Sequence, residues 1–192
     1  AKLSSDQVIA LSTAQVQSLT TAQVAALTTD QLNSLESRDL QALSSTQLRA
    51  LTTEQISNLS TEQLNKLTTT QTQSLTTTQV AALTSEQINK LDSDDLQALT
   101  TNQIKALTTD QISDLSSSQL QLLQTSQVAV LSGTQAEKLA TDAVAALTTD
   151  QIKVMSSAAL NALTSDQLGA LETEDVAALT TGQPVSYTHL RA

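Results

Sequence analysis

Several residue types are rare or missing in this sequence of 192 residues. It has no cysteine, tryptophan or phenylalanine, and it has one tyrosine, one histidine, one proline and three glycines. Without cysteine no disulfide framework can form. With so few glycines and prolines, the chain has little of the residue chemistry that tight turns require.

Positive charge is also scarce. Nine lysines and arginines face nineteen aspartates and glutamates, which gives a formal net charge of −10. Nucleic-acid binding needs basic patches or aromatic stacking rings, and the chain has neither, so we expect no nucleic-acid partner. No apolar run is long enough to span a bilayer, so we also expect no membrane insertion by this segment.

The sequence consists instead of one eight-residue motif repeated 23 times. Leucine stands at every eighth position from Leu3 to Leu179, with Met155 as the one exception. We label the positions a to h, with the leucine at a. Position f is Val, Ile or Leu in 20 octads, position e is Gln in 18, and position c is Ser or Thr in all but Gly133. A fixed period indicates a repeat array, so we predict one octapeptide-repeat solenoid over residues 1–183.

The last residues do not follow the motif. The stretch "VSYTHLRA" from Val185 resembles a translated sequencing adapter, so residues 184–192 are predicted to be a non-native tail. Because the chain also begins at Ala1 without a methionine, we expect an internal fragment from a metagenomic source. The tail holds Tyr187 and His189, so the repeat region itself has no aromatic residue and no histidine.

A period of eight does not fit one long helix. Successive octads would be rotated by about 80° because two turns need about 7.2 residues. Eight residues over two turns are also outside the range that coiled coils tolerate. In a strand, positions a and f would face opposite sides because their spacing is odd. A β-solenoid with a turn in each repeat remains a less favoured alternative.

Short helices fit the motif better. Thr28 and Gln31 form a capping box, and Leu27 and Leu32 occupy the two positions of a hydrophobic staple. Helices this short are unstable alone, so each must pack on its neighbours. The fold class we predict is therefore all-α, a solenoid of very short capped helices over positions c to h, one per octad, with a and f inward. Where b is not Ser or Thr, position c is a candidate for the cap. This applies to Glu36, Asp92, Gln124, Ala140 and Glu172.

Three patterns are candidate sites. Asp occurs at e only where b is acidic, which pairs Glu36 with Asp39, Asp92 with Asp95 and Glu172 with Asp175. Such pairs can bind a hard cation such as calcium, but compensation of the helix dipole explains them better. Threonine rows, as at 68–70 and 76–78, can bind ice, although caps would use most b hydroxyls. The glutamines can act as caps, as a stacked ladder or as surface recognition groups.

We predict no catalytic, cofactor-binding or metal-binding residue and no cofactor, and we do not expect an enzyme. The repeat region has no His or Cys to activate a nucleophile, and every serine lies in a repeated setting. No glycine-rich phosphate loop is present. The least regular stretch, residues 131–146 with Gly133, Ala136, Ala140 and Ala143, is expected to be the least stable.

The octads "LTTAQVAA", "LTTTQVAA" and "LTTDQIKV" resemble LTTxQVxAL-type repeats of very long bacterial proteins, which are adhesin-like or secreted. The resemblance implies an extracellular or cell-surface location and no catalytic residues. We therefore expect a structural spacer or stalk in a larger bacterial surface or secreted protein. The alternative is a scaffold that binds an unknown protein or glycan through the exposed positions d, g and h. Ice binding is a more distant alternative.

Overall fold

The computed structural model describes residues 4–179, and this part of the chain forms one short α-helix per octad. Each helix begins at position c and has four to six residues. In chain order the helices are α1 Ser5–Ile9, α2 Thr13–Ser18, α3 Thr21–Ala25, α4 Thr29–Asn33, α5 Ser37–Ala42, α6 Ser45–Arg49, α7 Thr53–Ser57, α8 Thr61–Leu64, α9 Thr69–Ser74, α10 Thr77–Ala82, α11 Ser85–Asn89, α12 Ser93–Ala98, α13 Thr101–Ala106, α14 Thr109–Ser113, α15 Ser117–Leu122, α16 Thr125–Val128, α17 Gly133–Lys138, α18 Thr141–Ala145, α19 Thr149–Val154, α20 Ser157–Ala162, α21 Ser165–Gly169 and α22 Thr173–Ala178.

Position b is the N-cap of every one of these helices. In α10, for example, Thr76 has φ −71° and ψ 156°, and its hydroxyl accepts a hydrogen bond from the Gln79 N–H at 3.1 Å. Gln79 returns the contact, since its Oε1 accepts from the Thr76 N–H at 2.9 Å. This is the capping box predicted from the sequence, and it stabilises a helix by satisfying two of its unpaired N–H groups.

The structure decides between b and c as the cap in the irregular octads, and the N-cap is b there too. The helices concerned still begin at c, so b remains the N-cap although its side chain supplies no standard cap. The residues at b in these units are Glu36, Asp92, Gln124, Ala140 and Glu172. A helix start is therefore retained even without its cap, because packing of the unit against its neighbours provides most of the stability of so short a helix.

Two extended residues connect those helices that run to position h, such as α9 to α10. Leu75, after α9, has φ −57° and ψ 139°, and Thr76 follows in the β region. Within residues 4–179 no residue has a positive φ, which explains how the chain turns at every octad with so few glycines. The same part of the chain contains no strand, so the β-solenoid alternative is wrong for it.

Helices stack on the third helix along the chain, so three octads, or 24 residues, make one coil. The chain consists of two compact units, residues 1–99 and 100–192. In the first unit α7 packs on α10 and α9 on α12. In the second unit α14 packs on α17 and α17 on α20. The period of three octads was not predicted from the sequence.

The core of each unit is formed by positions a and f, as predicted. Between residues 35 and 163 every a residue is buried, and most f residues are fully inaccessible, as Leu48 and Ile104 are. Burying one such side chain contributes about 1.5–3 kcal/mol. Each octad contributes two aliphatic side chains to this core, which explains why the motif tolerates almost no change at a and f.

Candidate functional site: the contacts between coils

The glutamine at position e joins successive coils. In the first unit the Gln79 Nε2 donates to the carbonyls of Leu48 and Leu51, both at 2.8 Å, which lie 31 and 28 residues earlier. Leu48 lies near the end of α6, and Leu51 lies in the connection between α6 and α7. Carbonyls at the end of a helix lack the usual partner four residues later within the helix. Because the Oε1 caps the glutamine's own helix, each side chain satisfies one helix start and one helix end.

We call this arrangement the glutamine bridge: the buried glutamine at e, the N–H of its own N-cap and the carbonyls 28 and 31 residues earlier. Complete bridges with these contacts are made by Gln47, Gln55, Gln71, Gln79 and Gln87 in the first unit and by Gln135, Gln151 and Gln167 in the second. By contrast, Gln7, Gln15 and Gln23 of the first coil are exposed and make only the capping box. The capping interpretation of glutamine is thus confirmed, and the side-chain amide additionally donates to main-chain carbonyls of the preceding coil.

Three octads have an aspartate at e in place of the glutamine. Asp39, Asp95 and Asp175 are only 2%, 4% and 4% exposed. Each accepts a hydrogen bond from a threonine hydroxyl of the preceding coil. The donors are Thr13 at 2.7 Å to Asp39, Thr72 at 3.0 Å to Asp95 and Thr149 at 2.9 Å to Asp175. A carboxylate has no hydrogen to donate, so these units make a contact between coils with the direction of donation reversed.

The structure does not bring the acidic pairs together into a cation site. No group of three or more His, Cys, Asp or Glu side chains with metal-binding geometry occurs among residues 4–179. In one pair Glu36 forms an ion pair with Arg38 at 3.0 Å, and Arg38 Nε also lies 3.7 Å from Asp39. The threonine rows are divided in the same way, because hydroxyls at b such as Thr68 are taken up by caps.

Side chains at position g form a second contact between coils. Asn33, at the end of α4, donates through Nδ2 to the Asn58 carbonyl at 2.8 Å and accepts from the Ser60 N–H at 3.1 Å. One side chain thereby holds both the end of α7's octad and the start of α8. Related contacts to carbonyls 25 residues later are made by Gln41 to Lys66 at 2.8 Å, Arg49 to Ser74 at 2.8 Å and Asn65 to Lys90 at 2.7 Å.

The Asn33 contact leaves Gln63, three residues after Ser60, with an unpartnered oxygen. Because the Ser60 N–H is taken by Asn33, Gln63 cannot complete its capping box. Its Nε2 still donates to the Leu32 carbonyl at 2.7 Å, but its Oε1 is buried without a hydrogen-bond partner. Gln63 lies at the edge of a cleft of about 490 Å³, which Arg38 and Lys66 also line.

These contacts define a class of protein, the solenoid of octapeptide helical repeats. The ALTTAQ repeat model matches residues 1–37, 32–69, 88–125 and 144–181, so the chain belongs to the ALTTAQ repeat family. Three of the matches start at residues 32, 88 and 144, which are 56 residues or seven octads apart. None of the curated proteins compared with the chain matches it. Among the described helices, none has the length and apolar character that crossing a membrane requires.

Sequence reasoning did not foresee the partners in these contacts. The glutamine, the aspartates and Asn33 were visible as residues, but their partners lie 23 to 31 positions away. One signal was available: Thr72 is the only threonine at f, and one of the three aspartates at e stands one coil after it. Without the number of octads per coil, that coincidence has no meaning.

Proposed function

We propose that the repeat array is a spacer or stalk segment of a larger bacterial surface or secreted protein, located outside the cell. The observation that carries the proposal is the identity of the contacts from coil to coil. Because the same glutamine bridge recurs in both units, as at Gln79 and Gln135, adding or removing whole coils changes length without changing the kind of contact between coils. Membership in a repeat family and the resemblance to adhesin-like repeats support the same function.

A spacer must hold its ends at a fixed separation, and this can be measured within the first unit. Asp6, Asp30 and Glu54 are exposed, occupy position d and are one coil apart. The chain has no cysteine, so cysteines introduced there can be spin-labelled without background. Pulsed electron paramagnetic resonance should give narrow distributions of the distance between labels. The 6–54 distance should be about twice the 6–30 distance, because positions 6 to 30 and 30 to 54 are each one coil apart.

Two substitutions serve as controls for the distance measurement. Leu51→Asp places a charge in the core between the labels and should broaden the 30–54 distribution. Thr46→Asp, on an exposed position of a neighbouring helix, should leave it narrow. Broad distributions in the unsubstituted chain, or a 6–54 distance close to the 6–30 distance, would contradict a spacer.

A scaffold that binds a protein or glycan is the second candidate function. It is favoured by the cleft between coils that Asn33, Arg38, Glu62 and Lys66 line, because all four occupy the variable positions d, g or h. In the protein that carries the array, removing residues 43–66 deletes one whole coil and keeps the stacking period. A spacer should then change only its reach, whereas a scaffold should lose binding when Arg38 and Lys66 become alanine at unchanged length.

A further inference from the structure

One contact between coils replaces both an apolar residue and a glutamine. Thr72 stands at f, where other octads carry aliphatic side chains, and Asp95 stands at e one coil later. The two side chains are 3% and 4% exposed, and the Thr72 Oγ1 donates to the Asp95 Oδ1 at 3.0 Å. Their helices, α9 and α12, pack on each other. A buried carboxyl group at e therefore contacts a hydroxyl at f, the position that carries an aliphatic side chain in the other described octads.

The two other aspartates at e are in different surroundings. Their hydroxyl donors, Thr13 and Thr149, are at position c, which is only partly buried. Asp39 also has the Arg38 guanidinium 3.7 Å from its Oδ2. Asp95 has no ion pair, although a buried carboxylate is costly unless it is paired or well hydrogen-bonded.

The charges around Asp95 are negative. Asp92 and Asp94 precede it at the start of α12, and α9, the helix packed on it, carries no ionisable side chain. Earlier in the chain, Glu62 lies in α8 and Lys66 just after it, and Glu86 and Lys90 belong to the octad of α11. None of the four forms an ion pair with Asp95. Burial raises the pKa of Asp95 above its ordinary value; Asp92 and Asp94 raise it further, and the Thr72 hydrogen bond partly opposes them.

We propose that protonation of Asp95 tightens the stacking of α9 on α12 as the pH falls. The gain comes from removing a buried negative charge beside Asp92 and Asp94, and not from the Thr72 hydrogen bond, which favours the ionised form. A protonated Asp95 still accepts from Thr72 at one oxygen and has a hydrogen to donate at the other, so it regains the side-chain donor that a glutamine at e has. The ionised form can only accept. The counterparts of the glutamine-bridge carbonyls are those of Leu64 and Leu67, which lie 31 and 28 residues before Asp95.

The sign follows from proton linkage. A carboxyl whose pKa is higher in the folded state binds its proton more tightly there than in the unfolded chain. Its contribution to stability is fully present below the unfolded pKa of about 3.9 and is lost as the pH rises through the folded pKa. The pH response itself does not depend on the proposed spacer function, but its biological role does. In a spacer outside the cell, the stacking of α9 on α12 would respond to the external pH.

The test uses the whole chain. Carbon-13 NMR of the Asp95 carboxyl gives its titration midpoint, and hydrogen exchange at several pH values, corrected for the intrinsic rate, gives the protection of amides in α9 and α12. We expect a midpoint above about 3.9 and protection that increases below that midpoint, by roughly tenfold for each unit by which the midpoint is raised. A midpoint at or below the ordinary value would overturn the proposal.

Variants separate this contact from a general effect of acid. Asp95→Asn should give protection in α9 and α12 that no longer depends on pH, at or above the acid value of the unsubstituted chain. Thr72→Val removes the opposing hydrogen bond and should raise the midpoint further. Asp39→Asn, at the same motif position beside Arg38, should leave the response of α9 and α12 unchanged. An unaltered pH response in Asp95→Asn would refute the inference, while the spin-label distances test the spacer independently.

Discussion

The side-chain amide of Gln79 donates to the carbonyl of Leu48 at 2.8 Å, across 31 residues of sequence. The same side chain caps its own helix through Oε1. A residue conserved in the motif for a local reason therefore also holds one coil on another. This double role explains why glutamine fills e in 18 octads, although glutamate would serve an isolated capping box equally well.

Replacement of Gln79 measures the contact between coils. Gln79→Ala removes the cap acceptor and leaves the Leu48 and Leu51 carbonyls without their amide donor, which should cost about 2–3 kcal/mol of unfolding free energy. Gln15→Ala, at the same motif position in the exposed first coil, removes only the capping box and should cost at most about 1 kcal/mol. Denaturant unfolding measures both, and equal losses would contradict the bridge.

Gly133 lies where α17 and α20 approach each other closely in the second unit. A Cβ at this position would lie 3.0 Å from the Ala158 carbonyl oxygen and 3.1 Å from the Ala162 Cβ. Gly133→Ala should therefore destabilise the stacking of α17 on α20, by about 1–3 kcal/mol. Gly169→Ala is the matched control, because a Cβ there meets nothing within 4 Å and alanine favours the helix by up to about 1 kcal/mol. Thermal unfolding should shift in opposite directions for the two variants.

The local half of this fold follows from the sequence, and the long-range half does not. Thr28 and Gln31 predict a helix start by themselves, because a threonine followed three residues later by a glutamine is the pattern of a capping box. The leucine period predicts that a and f lie in the core. The number of octads per coil depends on the angle between successive helices. The motif is nearly constant, so it contains no residue from which that angle could be predicted. For that reason Thr72 and Asp95 were each seen as exceptions to the pattern but were not recognised as partners.

The irregular stretch 131–146 illustrates the same division. The sequence predicts low stability there, but the structure divides the stretch into two different parts. Ser132 and Gln135 of α17 retain the complete capping box. In α18, Ala140 supplies no cap and Ala143, at e, has no amide with which to make a bridge. The missing contacts are therefore concentrated in α18.

A cap added to α18 should stabilise it. Ala140→Thr places a hydroxyl at the N-cap, where it can accept from the Ala143 N–H as threonine does in other units, for a gain of about 0.5–1 kcal/mol. Hydrogen exchange of amides in 141–146 should become slower. Ala146→Thr, at the C-cap of the same helix, adds the same side chain without that role and should give no protection. Equal protection in both variants would contradict the assignment of b as the cap.

Asn33 and Gln63 compete for one N–H group, and the outcome is measurable. The Ser60 N–H donates to Asn33, which leaves the Gln63 Oε1 buried without a partner, at a cost of about 1–3 kcal/mol. In Asn33→Ala the Ser60 N–H is released and can donate to Gln63, as in complete capping boxes. The loss of the Asn33 contacts should thus be largely offset, and the net change should be within about 1 kcal/mol.

Asn65→Ala provides the comparison. Asn65 holds the Lys90 carbonyl and the Asp92 N–H in the same way, at 2.7 and 3.3 Å, but the octad that begins with this N-cap has Asp95 instead of a glutamine at e. No side-chain amide is there to take over, so the loss should be larger, about 1–2 kcal/mol. The Ser60 amide shift in Asn33→Ala should move toward that of other capped N-cap residues such as Thr76. If Asn33→Ala costs as much as Asn65→Ala, the unpartnered Gln63 oxygen has another origin, because competition for the Ser60 N–H requires that removing one competitor satisfies the other.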